Sequence, residues 1–365
     1  MELSELICRQ IRENGPVSFH DFMEMALYHP EYGYYMASRE KIGPKGDFYT
    51  SCSLGSVFGA MIAKQLVEMW HLSGEENFTV VEFGAGDGTL CHDILDYFRN
   101  YTNFYERLQY VIIEKSPFMR KKEKAHLPEK VCWYDTLEML GAFTGCVLSN
   151  ELVDNFAVHQ VVMYNELMEV FLEERNGLVE VLRPASAALK AYFENLNVEL
   201  PVGYRAEVNV EAAAWLENIS RYLQKGFVLT IDYGYTSNEL YSSRRSRGTL
   251  LCYQGHQVNE SFYENIGKQD ITSHVNFSGL CHWGHQYGLF CCGLTSQAEF
   301  LLALDFKGYL RQQLSDEKDI LRLAIQESHL TRTLLIDMGR KFKVLIQRKD
   351  IPAVQLTGLK DFRTA

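Results

Sequence analysis

Residues 80–90, VVEFGAGDGTL, set Gly84, Gly86 and Gly88 at alternate positions between an apolar run and a segment with helical spacing. An acid, Glu82, stands two residues before the first glycine. Glycines at the carboxyl end of a parallel strand let backbone amides approach a ligand closely, and a helix N-terminus behind the turn favours negative charge. The spacing here is Gly-x-Gly-x-Gly, not the G-x-G-x-x-G of dinucleotide enzymes. With Glu82 beside it, the turn suits S-adenosylmethionine, whose ammonium group needs a carboxylate nearby and whose own carboxylate takes the turn amides. A dehydrogenase is disfavoured by the same pattern.

The next strand ends at Glu114, where a carboxylate can accept from both hydroxyls of a ribose. Asp135, just past the third strand, is placed to accept from an adenine amino group, or to cap a helix. The stretch SNELVDNF (149–156) falls at the end of the fourth strand, where open α/β sheets place reacting groups. Asn150 joins the cofactor-binding set. Glu151 and Asp154 supply two carboxylates, and methyl transfer needs a nucleophile stripped of a proton and held in line with the methyl group.

Those residues need a scaffold, and the chain alternates strand and helix: strands at 78–84, 109–116, 130–134 and 145–151, with helices at 89–100 and 117–126 between them. The strands are nearly all apolar, as in a parallel sheet covered on both faces. The fold class expected is α/β, a doubly wound parallel sheet with N-terminal helices and an inserted segment. Its parts are a helical extension and loop at 1–70, the first part of the core at 71–154, an insertion at 155–225, and the rest of the core at 226–365. Within the insertion, three short strands separated by NE and RNG read as a meander. The parallel core resumes at 226–234, 287–295 and 339–350. Ser18, three residues before Asp21, reads as a helix cap.

Composition limits the partners. The chain has 365 residues, 47% hydrophobic, and its 36 Lys and Arg against 47 Asp and Glu give a net charge of −11. The balance disfavours nucleic acid as a partner, despite the basic stretch SSRRSRG at 242–248. Nine scattered cysteines and an acid-bearing amino-terminal helix read as a cytoplasmic protein without a membrane span.

Several unusual strings, HPEYGYY (29–35), GDFYTS (46–51), VEFGAGDGTL, SNELVDNFAVHQ, LTIDYG (229–234), GTLLCYQGH (248–256), GKQDITSHVNF (267–277) and MGRKFKVLIQ (338–347), resemble the MidA-type (DUF185) group of S-adenosylmethionine-dependent methyltransferases. Mitochondrial members of that group assist respiratory complex I assembly and methylate an arginine of a complex I subunit. The resemblance implies a Rossmann-like class I methyltransferase core, a cofactor loop within 1–70, a substrate-recognition role for the insertion at 155–225, S-adenosyl-L-methionine as cofactor and a protein arginine as substrate. It places Gly84, Gly86 and Gly88 at the methionine part, Glu114 at the ribose, and Asp47 with Thr50 at the cofactor's border, and it sets Asn150, Glu151 and Asp154 on the group's Asn-Glu-x-x-Asp segment. Asp270 and His274 become candidates for the substrate cleft, His274 as a catalytic group. Two departures stand out: Cys52-Ser53 where the group commonly has Pro-Glu, and Asn155-Phe156-Ala157 where it has Ala-Leu-Pro. The first loses a carboxylate and keeps a second function in view, an assembly factor that binds S-adenosylmethionine without turnover. The cluster CHWGHQYGLFCC (281–292) lacks zinc-ligand spacing, so no metal is expected.

Overall fold

The computed structural model describes residues 2–43, 46–47, 51–314 and 319–360. The chain forms two compact units, one of Tyr49–Leu152, Leu216–Tyr233 and Trp283–Ala365, the other of Met1–Phe48, Val153–Trp215 and Gly234–His282.

The first unit is built on seven strands: β1 Phe78–Phe83, β2 Leu108–Ile113, β3 Val131–Tyr134, β4 Phe143–Asn150, β5 Leu223–Tyr235, β6 Phe290–Ser296 and β7 Phe342–Lys349. Their spatial order is β6-β7-β5-β4-β1-β2-β3. β3, β2, β1, β4 and β5 run parallel. The chain moves outward from β1 to β3 and then returns to the other side of β1 as β4, so the carboxyl ends of β1 and β4 flank the switch point where such sheets take their ligands. Val80, Val81, Val111 and Ile112 are fully buried, as strands covered on both faces require. Helix Val57–Ser73 is apolar almost all round and wholly interior along most of its length. It crosses helix Thr89–Phe98 so closely at Gly59 that a Cβ there would stand 2.5 Å from Cβ of Asp93.

One expectation is corrected. The strand read as a continuation of the parallel core at 339–350 runs antiparallel to both its neighbours, β5 and β6. An apolar strand buried on both faces has the same composition in either direction, so its sense is set by the connections around it.

The second unit holds the meander. His159–Met163, Leu167–Glu174 and Leu178–Pro184 pair antiparallel in sequence order, and Arg205–Val208 adds to the first of them. Helices Ala187–Asn195 and Val210–Tyr222 flank that last strand. Helices Leu3–Asn14 and Phe19–Tyr28 bury Ile7, Phe19, Phe22 and Met23 in a core with Val170 and Leu172. The Ser18 hydroxyl accepts from the Asp21 amide at 3.0 Å, as its spacing predicts. A three-stranded sheet, Gln257–Asn259, Leu251–Gln254 and Asp270–Thr272, completes the unit.

Candidate functional site

The turn after β1 bends through three left-handed residues, with φ of +63° at Gly84, +61° at Gly86 and +82° at Gly88. Only glycine takes that backbone without strain. Space is short as well: a Cβ at Gly84 would come 2.9 Å from Leu152, and one at Gly88 would come 3.0 Å from Leu127. Gly88 caps helix Thr89–Phe98, and the first helical amide, Thr89, donates to Asp87 Oδ1 at 3.1 Å. The Gly84 amide donates to the Ile113 carbonyl at 3.0 Å and the Gly88 amide to the Ala85 carbonyl at 2.9 Å, which leaves the middle of the turn, at Gly86, as backbone without a side chain close to the amino end of a helix, the geometry that receives a carboxylate.

Glu82 lies at the end of β1, 2% exposed, and accepts a 2.8 Å hydrogen bond from the Tyr110 phenol of β2. Burial pushes its carboxyl up to about 7; the phenol works against this, and the charges of Asp87 and Glu114 add to it. Glu114, one residue past β2, is buried and accepts from the Ser116 amide at 2.6 Å. Asp135, one residue past β3, is exposed and ion-paired at 2.6 Å to Arg120. Each of these acids sits at or beyond the carboxyl end of its strand.

Asn150 ends β4, and Glu151 follows in a left-handed conformation, φ +53°, its amide donating to the Ile231 carbonyl at 2.9 Å. Glu151 Oε1 accepts from the Ser51 amide at 3.2 Å and from Asn150 Nδ2 at 3.3 Å. Asn150 Oδ1 is shut off from solvent without a hydrogen-bond partner, an acceptor open to a donor. Cys52, also reached by Asn150 Nδ2, is buried, which raises its thiol well above the ordinary range; Glu151 and Glu82 act in the same direction. The Ser53 side chain, where the group's carboxylate is lost, lies outside what the structure describes. Asp232, near the end of β5, is fully buried and accepts from the amides of Leu152 and its own neighbour Tyr233.

The remaining described candidates belong to the second unit. Asp47 uses both oxygens there: Oδ2 accepts from the Tyr34 phenol at 2.8 Å and pairs with Arg39 at 3.0 Å, and Oδ1 accepts from the Gly255 amide at 2.7 Å. Thr50 lies outside the described residues. Asp154 occupies the short turn Val153–Asn155, and its carbonyl accepts from the Ser273 amide at 2.9 Å. Asp270 is buried, accepts from the Tyr35 phenol at 2.9 and 3.0 Å, and has its carboxyl pushed up to about 8 by burial and by the charge of Asp154. The His274 ring packs at 5.3 Å from Tyr235, and its amide donates to the Thr249 hydroxyl. Among the described residues, no group of three or more His, Cys, Asp or Glu side chains is arranged to hold a metal ion.

Sequence reasoning missed Tyr110, Arg120, Ser51 and Asp232. Asp232 carried a visible signal, one carboxylate inside the apolar run GFVLTIDYG. Tyr110 and Arg120 look like an ordinary strand aromatic and one cation of a basic helix.

A glycine turn at the switch point of a 6-7-5-4-1-2-3 sheet with one antiparallel strand, followed by acids at successive strand ends, defines a class I S-adenosylmethionine-dependent methyltransferase. Residues 61–295 match the family described as "Putative S-adenosyl-L-methionine-dependent methyltransferase", and the chain belongs to that family. Its cofactor is S-adenosyl-L-methionine. The chain is 25% identical over 389 residues to a Drosophila melanogaster protein named "Protein arginine methyltransferase NDUFAF7 homolog, mitochondrial", covering 97% of this chain and 86% of that one. A Bos taurus relative, "Protein arginine methyltransferase NDUFAF7, mitochondrial", is 25% identical, with 92% of this chain and 81% of that one covered. Among solved structures, a COG1565 superfamily member from Burkholderia thailandensis, bound to S-adenosyl-homocysteine, superposes with a TM-score of 0.87 at 28% identity, covering 98% of this chain and 94% of that one. The cytoplasmic location expected from composition does not stand, because these eukaryotic relatives are named as mitochondrial. Among the described residues, no helix is long and apolar enough to cross a membrane.

Proposed function

We propose that the chain transfers a methyl group to an arginine side chain of a protein, a subunit of a respiratory complex being the substrate the family resemblance implies. The observation that carries this reading is Glu151, a carboxylate fixed at the end of β4 by a left-handed backbone and by donors from Ser51 and Asn150. The names of the relatives support arginine as the acceptor.

When bound, S-adenosyl-L-methionine supplies a sulfonium methyl group. The glycine turn receives the amino-acid carboxylate at Gly86, since the Gly84 and Gly88 amides donate to the Ile113 and Ala85 carbonyls at 3.0 and 2.9 Å, and Glu82 faces the ammonium. Glu114 accepts from the ribose hydroxyls, Asp135 from the adenine amino group, and Asn150 offers its open carbonyl to a donor. A guanidinium stays protonated at any working pH, so it must be held by a carboxylate and must lose a proton as the methyl group arrives. Glu151 performs both tasks, orienting the guanidinium and receiving the proton from its nitrogen. Asp154 and then His274 are next in line as the base.

The test is label transfer. With methyl-labelled cofactor and a lysate, label should appear on a protein, and mass spectrometry should place it on arginine. A chain that binds S-adenosyl-homocysteine tightly yet labels nothing would establish the non-catalytic assembly factor instead.

A further inference from the structure

Helix Pro117–Lys124 begins three residues after Glu114, capped by the Ser116 hydroxyl, with Met119 and Glu123 buried one turn apart. Two of its charged side chains reach across to neighbouring strand ends. Arg120 Nη2 donates to the Glu114 carbonyl at 2.6 Å, to Asp135 Oδ1 at 2.6 Å and to the Tyr134 carbonyl at 3.4 Å. Glu123, fully buried, accepts from the Trp133 indole N–H at 2.7 Å. The β2–β3 ladder extends to the pair Ile113 and Tyr134. Glu114 and Asp135 are the next residue on each strand, just past the paired region, and Arg120 joins them.

We propose that Arg120 and Glu123 are positioning residues for the adenosine half of the cofactor: by tying Trp133, Tyr134 and Asp135 to Glu114, they fix the separation and direction of the two acids that receive it. The inference rests on the assignment of Glu114 to the ribose and Asp135 to the adenine.

Packing alone does not require these side chains. Arg120 Nε and Glu123 Oε1 are both shut off from solvent without a hydrogen-bond partner. Unsatisfied buried polar atoms cost stability that an apolar side chain of similar length would not. A residue kept for packing should be replaceable by methionine without loss of function, whereas one kept for geometry should not.

Two ligands separate the halves of the site, S-adenosyl-homocysteine and 5′-methylthioadenosine, which carries the adenosine without the amino acid. Arg120→Met should weaken both by the same factor, about tenfold. Arg120→Lys should recover part of the affinity, since a point charge can reach some of the three oxygens but not hold them together. Glu123→Gln keeps an acceptor for Trp133 and should bind both ligands within about twofold of wild type, whereas Glu123→Met should weaken both. Glu114→Ala is the control: methylthioadenosine binding that survives it would remove the adenosine assignment and this inference with it. Methylthioadenosine binding that falls with Glu114→Ala but stays at wild-type level in both Arg120 variants would overturn the positioning role alone.

Discussion

Glu82 should make cofactor affinity depend on pH in a window where the cofactor itself does not titrate. Its carboxyl sits at about 7 in the free protein because it is buried, with Asp87 and Glu114 adding to the rise. If the cofactor's ammonium must meet an ionised Glu82, only the ionised fraction of the protein is ready to bind. That fraction is about one tenth at pH 6 and about one half at pH 7, so affinity should rise roughly fivefold over that single unit. Both values lie below the α-amino range of about 7.7–8.0, so the cofactor's own amine keeps its proton across this window. Binding should release about 0.9 proton per site at pH 6 and about 0.5 at pH 7.

Calorimetry with S-adenosyl-homocysteine in two buffers of different ionisation heat reads affinity and proton release together. Glu82→Gln keeps an acceptor for the Tyr110 phenol but cannot ionise, so its affinity should be flat between pH 6 and 7. At pH 7 it should be weaker by roughly 1.5–3 kcal/mol, the usual loss for a hydrogen bond to a charged group. Equal affinity at pH 6 and 7 in the wild-type protein, with no proton released, would mean that Glu82 only holds Tyr110 and takes no part in binding.

Gly86→Val should abolish S-adenosyl-homocysteine binding while circular dichroism stays native, because a branched side chain at φ +61° must distort the turn that admits the ligand; retained affinity would remove the turn from the site. Glu151→Gln should keep S-adenosyl-homocysteine affinity within about twofold and lower methyl transfer by roughly 10²–10⁴; full activity would pass the role of base to Asp154 or His274. The free protein should melt at a lower temperature at pH 8 than at pH 6. Burial raises the carboxyls of Glu82 and Glu207 to about 7 and those of Glu123 and Asp270 to about 8, so the folded state holds protons that the unfolded chain releases near pH 4, and stability falls as pH climbs toward 7–8. Each group costs up to about 1.4 kcal/mol per pH unit within its window, and a higher melting temperature at pH 8 would contradict this sign.

The parts of the site that follow from local backbone were legible in the sequence. Glycines at alternate positions after an apolar strand can satisfy a left-handed turn, and Gly84, Gly86 and Gly88 all do. An acid one residue beyond a strand is fixed by where the strand stops, so Glu114 could be placed once 109–116 was read as a strand. The meander was equally plain, since NE and RNG interrupt apolar alternation. What remained hidden depends on partners remote in sequence. Asp47 reads as a loop acid beside a glycine, and nothing nearby reveals that a turn at Gly255 uses one of its oxygens. The direction of β7 was hidden for the same reason.

This division also explains why the chemistry of the acids was harder to read than their positions. Glu82 and Tyr110 are 28 residues apart and meet only because β1 and β2 pair in a register that sets Val80 opposite Tyr110, so that the phenol lies diagonally beside the carboxylate on one face. Slipping that register by one residue would turn Tyr110 to the opposite face and remove the single donor that restrains the rise in Glu82's carboxyl. The acid would then hold its proton more firmly still. The motif therefore specifies where a carboxylate stands, and the pairing of β1 with β2 specifies whether it is ionised when a cation arrives. A variant such as Tyr110→Phe, which leaves the motif intact, should move the pH at which the cofactor binds upward without touching any residue of the glycine turn.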